Sequence, residues 1–217
     1  MRNMRENIPC LSIHKSRMPL DVQYNAGLTA GSLKVAESRV VADLLLREAT
    51  DAEWNTTIYD DNAMQVRNRQ TARRLVILLR ERLLTMPSDL WKLVLDGNKN
   101  VATHACLAAA IRHSVLLADF MQLVLRDQYR IFAKQLPPAV WDDFLADCAA
   151  RDATVNDWTE STVRRLRSSV FQILAQAGYV DNTRSLRLQT VYVEQDVIRC
   201  LTRHHEEFVL GCMQISS

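Results

Sequence analysis

The sequence predicts a mainly helical protein with a small β-hairpin. Its 217 residues include only five glycines and five prolines, so breaks between helices are few. Apolar residues recur at helical spacing through most of the chain and alternate as in a strand only near residues 186–193. Hydrophobic residues make up 48% of the chain, which is ordinary for a globular protein and sufficient for a buried core.

Four helices are predicted in the first half of the chain, after a tail at residues 1–18 in which Met18 is an alternative start. The helices are expected over residues 32–47, 50–58, 69–84 and 87–95. Thr50 and Glu53 have the spacing of a capping box, which marks the start of the second helix. Residues 19–98 are therefore expected to form an N-terminal unit of the helix-turn-helix type.

The second half of the chain predicts a long central helix followed by a winged helix. Residues 101–130 are apolar nearly all round, so we expect one helix at the centre of the core. Further helices are expected over residues 138–149, 159–177 and 194–210. Gly178 ends the second of these, and a polar turn at residues 181–185 joins the two short strands of the wing. Residues 99–217 form the predicted C-terminal unit, with the winged helix at residues 138–193.

A short motif that contains paired arginines occurs twice. Residues 70–75 (Q-T-A-R-R-L) are echoed by residues 161–166 (S-T-V-R-R-L), and each copy opens a predicted helix after an acidic segment with a tryptophan. A hydroxyl residue followed by arginines at a helix start suits contact with phosphate. The planar arginine fork also matches phosphate oxygens and guanine edges better than a lysine does. The repeat favours a nucleic-acid-binding protein over an enzyme.

In the second copy, the polar side chains share the helix face opposite the apolar stripe, and no acid is among them. They are Ser161, Arg164, Arg165, Ser168 and Gln172. Such side chains suit DNA phosphates and base edges, and the second helix of a helix-turn-helix enters the major groove. Arg184 and Arg187 of the wing are expected to hold the DNA backbone. The loop at residues 151–157 is long for a tight helix-turn-helix, and a helix and hairpin used for packing is the alternative.

In the first copy, the arginines lie at the edge of the apolar stripe rather than opposite it. Arg69, Arg73 and Arg80 cluster within about 40° around the helix axis. One interpretation is that they extend the DNA-binding surface. The other is that they are buried in ion pairs with the acidic helix before them.

Nothing in the sequence predicts a catalytic residue, a cofactor or a metal site. His104 and His113 are nine residues apart and out of phase on a helix, and no metal-ligand spacing or glycine-rich phosphate loop is present. The five cysteines are scattered, which is typical of a reduced, cytoplasmic setting. No uncharged apolar run reaches the roughly 18–20 residues that a spanning helix needs, so no membrane partner is expected.

Three segments of this chain resemble a known family in their order and spacing. They are residues 71–74 (T-A-R-R), residues 109–120, which begin A-A-I-R-H, and residues 158–178, which end L-A-Q-A-G. Together they resemble the BrxA family, small components of BREX phage-defence systems, over roughly residues 24–193. The resemblance implies a cytoplasmic, helical DNA-binding protein without catalysis of its own, whose partners are double-stranded DNA and other BREX components. The family has also carried an inner-membrane label, which this sequence does not support.

Two other functions stay open at this point. The arginine faces of an adaptor would meet acidic surfaces of partner proteins, and the acidic faces would permit a homo-oligomer. A helical bundle with basic faces also serves RNA, through shape and backbone contacts.

Overall fold

Helices make up most of the chain in the computed structural model, which describes residues 23–215. In chain order they are α1 Val35–Leu46, α2 Asp51–Asn55, α3 Arg69–Leu84, α4 Ser88–Asp96, α5 Lys99–His113, α6 Val115–Asp119, α7 Arg126–Arg130, α8 Val140–Arg151, α9 Glu160–Gln176, α10 Gln195–Arg203 and α11 Glu207–Met213. Two 3₁₀ turns (Gly27–Ala30 and Ala153–Asp157) and two π-helical segments (Thr56–Asp60 and Phe120–Leu125) join them. The mainly helical fold class is confirmed. The predicted tail at residues 1–18, with Met18, lies outside the described residues.

The helices predicted in the first half of the chain are confirmed, and α3 begins and ends at the expected residues. Thr50 forms the predicted capping box at the start of α2. The Glu53 amide donates to the Thr50 hydroxyl at 3.4 Å, and the Glu53 carboxylate accepts from the Thr50 amide at 2.7 Å. The pair satisfies two amides that a helix start leaves free. After α2 the helix widens into the π-helical segment Thr56–Asp60, which contains Tyr59.

The prediction of one continuous helix over residues 101–130 is wrong, because the chain turns sharply at Ser114. The helix axis changes direction by 108° between the stretches on either side of Ser114. Ser114 has an extended backbone (φ −123°), and its hydroxyl accepts from the Leu117 amide at 3.3 Å, so it caps a new helix. The last predicted helix is likewise two helices, α10 and α11, since His205 adopts a left-handed backbone (φ 57°) between them.

Replacing Ser114 by alanine is expected to lower the free energy of unfolding by about 1 kcal/mol, because the Leu117 amide loses its side-chain acceptor. Urea denaturation followed by circular dichroism measures the change. Ser168→Ala is the control, since Ser168 is exposed inside α9 and should shift stability by less than about 0.5 kcal/mol. Equal stability of the Ser114 variant and the parent protein would show that the cap does not hold the bend.

The first half of the long apolar stretch, α5, lies at the centre of the core as predicted. All residues from 101 to 111 are buried. The small residues expected to allow close helix contact are at most 1% exposed: Ala105, Ala108, Ala109 and Ala110. α1, α3, α4, α10 and α11 all pack against α5. Residues before and after residue 98 belong to the same buried core. The division of the chain into two units at that point stays a prediction.

A cluster of aromatic rings joins α8 and α9 to the π-helical segment Phe120–Leu125. The Phe120 ring centroid lies 5.1 Å from that of Phe144 and 5.9 Å from that of Trp141. Phe171 of α9 lies 6.2 Å from both Phe120 and Trp141. Aromatic pairs of this kind add roughly 0.5–1.5 kcal/mol each beyond burial. The cluster therefore holds α9 by its inner face and leaves the outer face to solvent.

The hairpin predicted after α9 is not confirmed as a regular pair of strands. The described part of this region contains two isolated antiparallel bridges, which pair Val180 with Leu188 and Gln135 with Arg187. They hold three short extended pieces side by side, and the loop at residues 181–186 lies beyond them. α9 itself ends as predicted, with Gly178 in the left-handed conformation (φ 84°) that favours glycine.

A single peptide group connects the two arginine-bearing helices, α3 and α9. Arg82 of α3 donates to the Ser32 carbonyl at 2.7 Å, and Gln176 of α9 accepts from the Leu33 amide at 3.0 Å. Arg82 also donates to the Gly31 carbonyl at 3.1 Å. Arg82 is only 2% exposed, unlike Arg69, Arg73 and Arg80 of the same helix. It therefore holds the chain before α1 against α3.

The start of the same N-terminal segment is anchored at the end of α8. The Tyr24 amide donates to the Asp152 carboxylate at 2.8 Å, and the Tyr24 hydroxyl donates to Asp119 at 2.6 Å. Arg151 also donates to Asp119, at 2.7 Å, and lies over the Tyr24 ring. Residues 24–33 thus run from the end of α8 to the ends of α3 and α9.

Candidate nucleic-acid interface

The polar face predicted on α9 is exposed and lines a shallow recess. Thr159 caps the helix by accepting from the Thr162 amide at 3.3 Å. The recess has a volume of about 430 Å³. It is lined by Thr29, Ser161, Arg164, Arg165, Ser168 and Ser169. The structure therefore brings together four of the five polar residues that the sequence singled out on this helix. The fifth, Gln172, is exposed but does not line the recess.

One acid touches this face, although the predicted set contained none. Glu160 lies 3.7 Å from the Arg164 guanidinium, and both side chains are more than two-thirds exposed (84% and 71%). An exposed pair at this spacing contributes only about 0.3–0.5 kcal/mol, so a phosphate can displace the carboxylate at little cost. No ion pair between described residues involves Arg165. The face therefore presents two guanidinium groups that an anion can reach.

The two serines of the face differ in what they can offer. The Ser168 hydroxyl donates to the Arg164 carbonyl at 2.9 Å, which uses its proton and leaves its lone pairs as acceptors. The Ser161 hydroxyl shares a hydrogen bond of 3.0 Å with the Thr159 hydroxyl. Acceptors and a rotatable donor beside two arginines suit base edges as well as phosphates.

The loop that carries Arg184 is held in place by one carboxylate. Asp181 accepts from the Ser185 hydroxyl at 2.6 Å and from the amides of Asn182 and Arg187 at 2.7 and 3.0 Å. These bonds, the Ser185 hydroxyl first, hold the pKa of Asp181 below its ordinary value. Arg184 and Arg187 are both exposed, and neither lines the α9 recess. The two arginines therefore form a second basic surface, apart from the α9 recess, on a segment that hydrogen bonds hold in place.

The first arginine motif lines a second recess, of about 550 Å³, at the start of α3. Its lining residues are Asn55, Tyr59, Arg69, Gln70 and Arg73. The Arg69 guanidinium lies 4.5 Å from the centre of the Tyr59 ring. Arg80 is outside the recess and lies over the Trp54 ring at 5.1 Å.

The arginines of α3 are not held in the ion pairs that the sequence suggested as an alternative. Arg69, Arg73 and Arg80 are all exposed, and no ion pair between described residues includes them. Two of them instead lie on aromatic rings of the preceding helical stretch. Such cation–π contacts leave the charge accessible to an anion.

Several lining residues were missed by the sequence. Thr29 comes from a turn far from α9 in sequence, and only the packing of that turn on α9 brings it there. Tyr59 had a signal, because it follows the capped helix α2 and precedes the arginine motif. An aromatic residue beside paired arginines merits the same scrutiny as the arginines themselves.

Two further kinds of site, metal-binding clusters and membrane-spanning helices, can be assessed within residues 23–215. No group of three or more histidine, cysteine or acidic side chains there could hold a metal ion. No single helix in that part of the chain has the length and hydropathy to cross a bilayer. The stretches Lys99–His113 and Val115–Arg130 reach that length and hydropathy only when taken together, and they are bent relative to each other.

The fold and the two recesses define a class: mainly helical proteins that present arginines at two separate surface sites. The BrxA family model matches residues 22–205. The BREX protein BrxA of Paramagnetospirillum magneticum (strain AMB-1) is 41% identical over 194 residues, covering 89% of this chain and 98% of the relative. The BREX protein BrxA of Escherichia coli O9:H4 (strain HS) is 28% identical over 194 residues, covering 89% and 91%. This chain belongs to the BrxA family, as the resemblance predicted.

A solved structure shares the fold. The crystal structure of an uncharacterized protein from Magnetospirillum magneticum superposes with a TM-score of 0.82 at 40% identity. The match covers 90% of this chain and 100% of that chain. The helical arrangement described above is therefore that of an experimentally determined relative.

Proposed function

We propose that this protein binds double-stranded DNA through α9, as a non-catalytic component of a BREX defence system. The observation that carries the proposal is the exposed α9 face, where Arg164 and Arg165 line one recess with Ser161 and Ser168. The names of both relatives as BREX protein BrxA support a place in that system, beside its other components. A protein that works on DNA there would act in the cytoplasm and needs no membrane partner.

The order of elements around α9 supports a winged-helix mode of binding. An extended piece near Gln135, then α8, α9 and two more extended pieces follow one another, and bridges join the three pieces. In this mode α9 lies in the major groove, as the recognition helix of a helix-turn-helix does. Arg184 on the loop at residues 181–186, and Arg187 directly after that loop, then contact phosphates. Arg69, Arg73 and Arg80 of α3 extend the DNA-binding surface.

The affinity for duplex DNA is expected to fall steeply with salt. If four arginines meet phosphates, the slope of log affinity against log salt is about −3.6, or roughly a hundredfold loss between 50 and 200 mM. Fluorescence anisotropy with a labelled 20-base-pair duplex measures it. No binding at low salt, or binding without a salt slope, would refute the proposal.

A protein-interaction adaptor is the second candidate, and one surface favours it. Phe132 is 91% exposed, with Ile131 at 69% beside it, and Phe132 lines a recess of about 540 Å³ with Tyr129 and Leu188. Exposed apolar patches commonly mark protein contacts or self-association. The adaptor predicts that substitution of Phe132 breaks a complex with another BREX component and leaves DNA binding intact. Competition by duplex RNA against duplex DNA tests the third option, RNA binding.

A further inference from the structure

The two recesses differ in chemistry, although the same arginine motif opens both helices. The α9 recess is lined by hydroxyls and guanidiniums alone. The α3 recess adds an aromatic ring, Tyr59, and the side-chain amides of Asn55 and Gln70. Rings and amides are the groups that proteins use to stack on unpaired bases and to read their edges.

Two side chains that line the α3 recess already form a cation–π contact. Arg69 lies 4.5 Å from the centre of the Tyr59 ring, and both residues line the recess. The guanidinium plane is a surface on which nucleic-acid bases also stack. Tyr59 belongs to the π-helical segment Thr56–Asp60, and π-helical turns inside helices occur often at functional sites. A base placed on this pair would extend the stack.

The charge of the recess suits a nucleotide. Arg69 and Arg73 both line it, both are exposed, and no acidic residue is among the described residues of its wall. A guanidinium not needed for the stack can meet the phosphate that follows the base. The volume of about 550 Å³ lies within the range of roughly 300–1,000 Å³ typical of small-ligand sites.

We infer that the α3 recess binds an unpaired nucleotide of single-stranded DNA, with its base on Arg69 and Tyr59 and its phosphate on Arg73. This inference extends the proposed function and rests on it for the class of ligand. The protein would then hold a duplex at α9 and an unpaired base at α3.

Anisotropy with two labelled probes tests the inference: a twelve-residue oligothymidine and a blunt 20-base-pair duplex. Tyr59→Ala and Arg69→Ala should each weaken oligothymidine binding about tenfold, because base stacking on such groups is lost. Tyr59→Ala should leave the affinity for the blunt duplex within about twofold of that of the parent protein, because Tyr59 is not part of the proposed duplex-binding surface. Arg69→Ala should weaken duplex binding less than oligothymidine binding, since it removes only one of several arginines that the duplex contacts. Tyr59→Phe keeps the ring and should bind oligothymidine as the parent protein does.

Arg74→Ala is the matched control, since Arg74 is an exposed arginine of α3 that does not line the recess. It should leave oligothymidine binding unchanged. Thermal unfolding verifies that the Tyr59 and Arg69 variants stay folded, and Arg69 is the safer substitution because its side chain is exposed.

The outcomes separate this inference from the proposed function. A protein that binds the blunt duplex but not oligothymidine would overturn the inference alone. Unchanged oligothymidine binding by both variants would overturn it as well. Oligothymidine binding that needs Tyr59, with no duplex binding at all, would support the inference and refute duplex recognition by α9.

Discussion

Replacing Arg164 and Arg165 together by glutamate is expected to weaken duplex binding about a hundredfold at 0.1 M salt. Each lost hydrogen bond from a guanidinium to a phosphate is worth roughly 1.5 kcal/mol, and two make about 3 kcal/mol, or two orders of magnitude in Kd. Both side chains are exposed on a face that the core does not use, so the fold should be retained. The slope of log affinity against log salt should also become shallower by roughly 1.8, which is the share of two phosphate contacts.

A second double variant controls for the change in net charge. Arg130→Glu with Arg199→Glu alters the net charge equally, at exposed positions outside both arginine recesses. Its affinity should stay within about fivefold of that of the parent protein, because 0.1 M salt screens charges beyond about 10 Å. If the α9 variant binds duplex DNA as tightly as this control, α9 is not the interface. If it binds DNA but loses a protein complex, the adaptor function holds instead.

Replacing Arg82 by alanine is expected to lower the free energy of unfolding by about 3 kcal/mol. The change leaves the carbonyls of Gly31 and Ser32 without their donor and opens a cavity beneath α3. The cost of burying the charge offsets part of this stabilisation. Burial lowers the pKa of Arg82 to about 10, and the guanidinium Nε has no hydrogen-bond partner among the described residues. We expect the two carbonyl bonds to outweigh that penalty.

Arg82→Met separates the two effects, because it fills most of the space without charge or donors. The methionine variant should lose about 2 kcal/mol in chemical denaturation, since buried carbonyls stay unpaired. A methionine variant as stable as the parent protein would mean that the cost of burying the charge cancels the hydrogen bonds. Arg80→Ala is the control: Arg80 is exposed over the Trp54 ring, and its loss should cost no more than about 1 kcal/mol.

Local signals predicted the helices well, and long-range contacts explain what they missed. The Thr50–Glu53 capping box and Gly178 act within a few residues, so the sequence shows them directly. The bend at Ser114 escaped because the apolar pattern continues across it and hides the cap that Ser114 supplies for the second helix. The sequence predicted a local hairpin after α9, whereas one of the two bridges there is a long-range contact. It pairs Gln135, before α8, with Arg187, about 50 residues further along the chain, and no local pattern signals such a pairing.

The candidate site shows the same division. Four of the five polar residues predicted on α9 line its recess, because the face of one helix follows from its period. The structural role of Arg82 was not predicted, although Arg82 follows Leu79 by three residues and so lies on the buried stripe. Tyr59 and Thr29 reach the two recesses through the packing of separate segments, which periodicity cannot reveal.

The peptide group between Ser32 and Leu33 is a fixed point that α3 and α9 share, and it limits how far apart their arginine motifs can lie. Arg82 and Gln176 attach to it near the ends of α3 and α9, whereas the arginine motifs lie at the opposite ends. At 1.5 Å per residue each helix segment is about 20 Å long, so with the side chains of Arg82 and Gln176 added the two motifs are at most roughly 50 Å apart. With about 3.4 Å of duplex per base pair, some fifteen base pairs are enough to reach from one motif to the other.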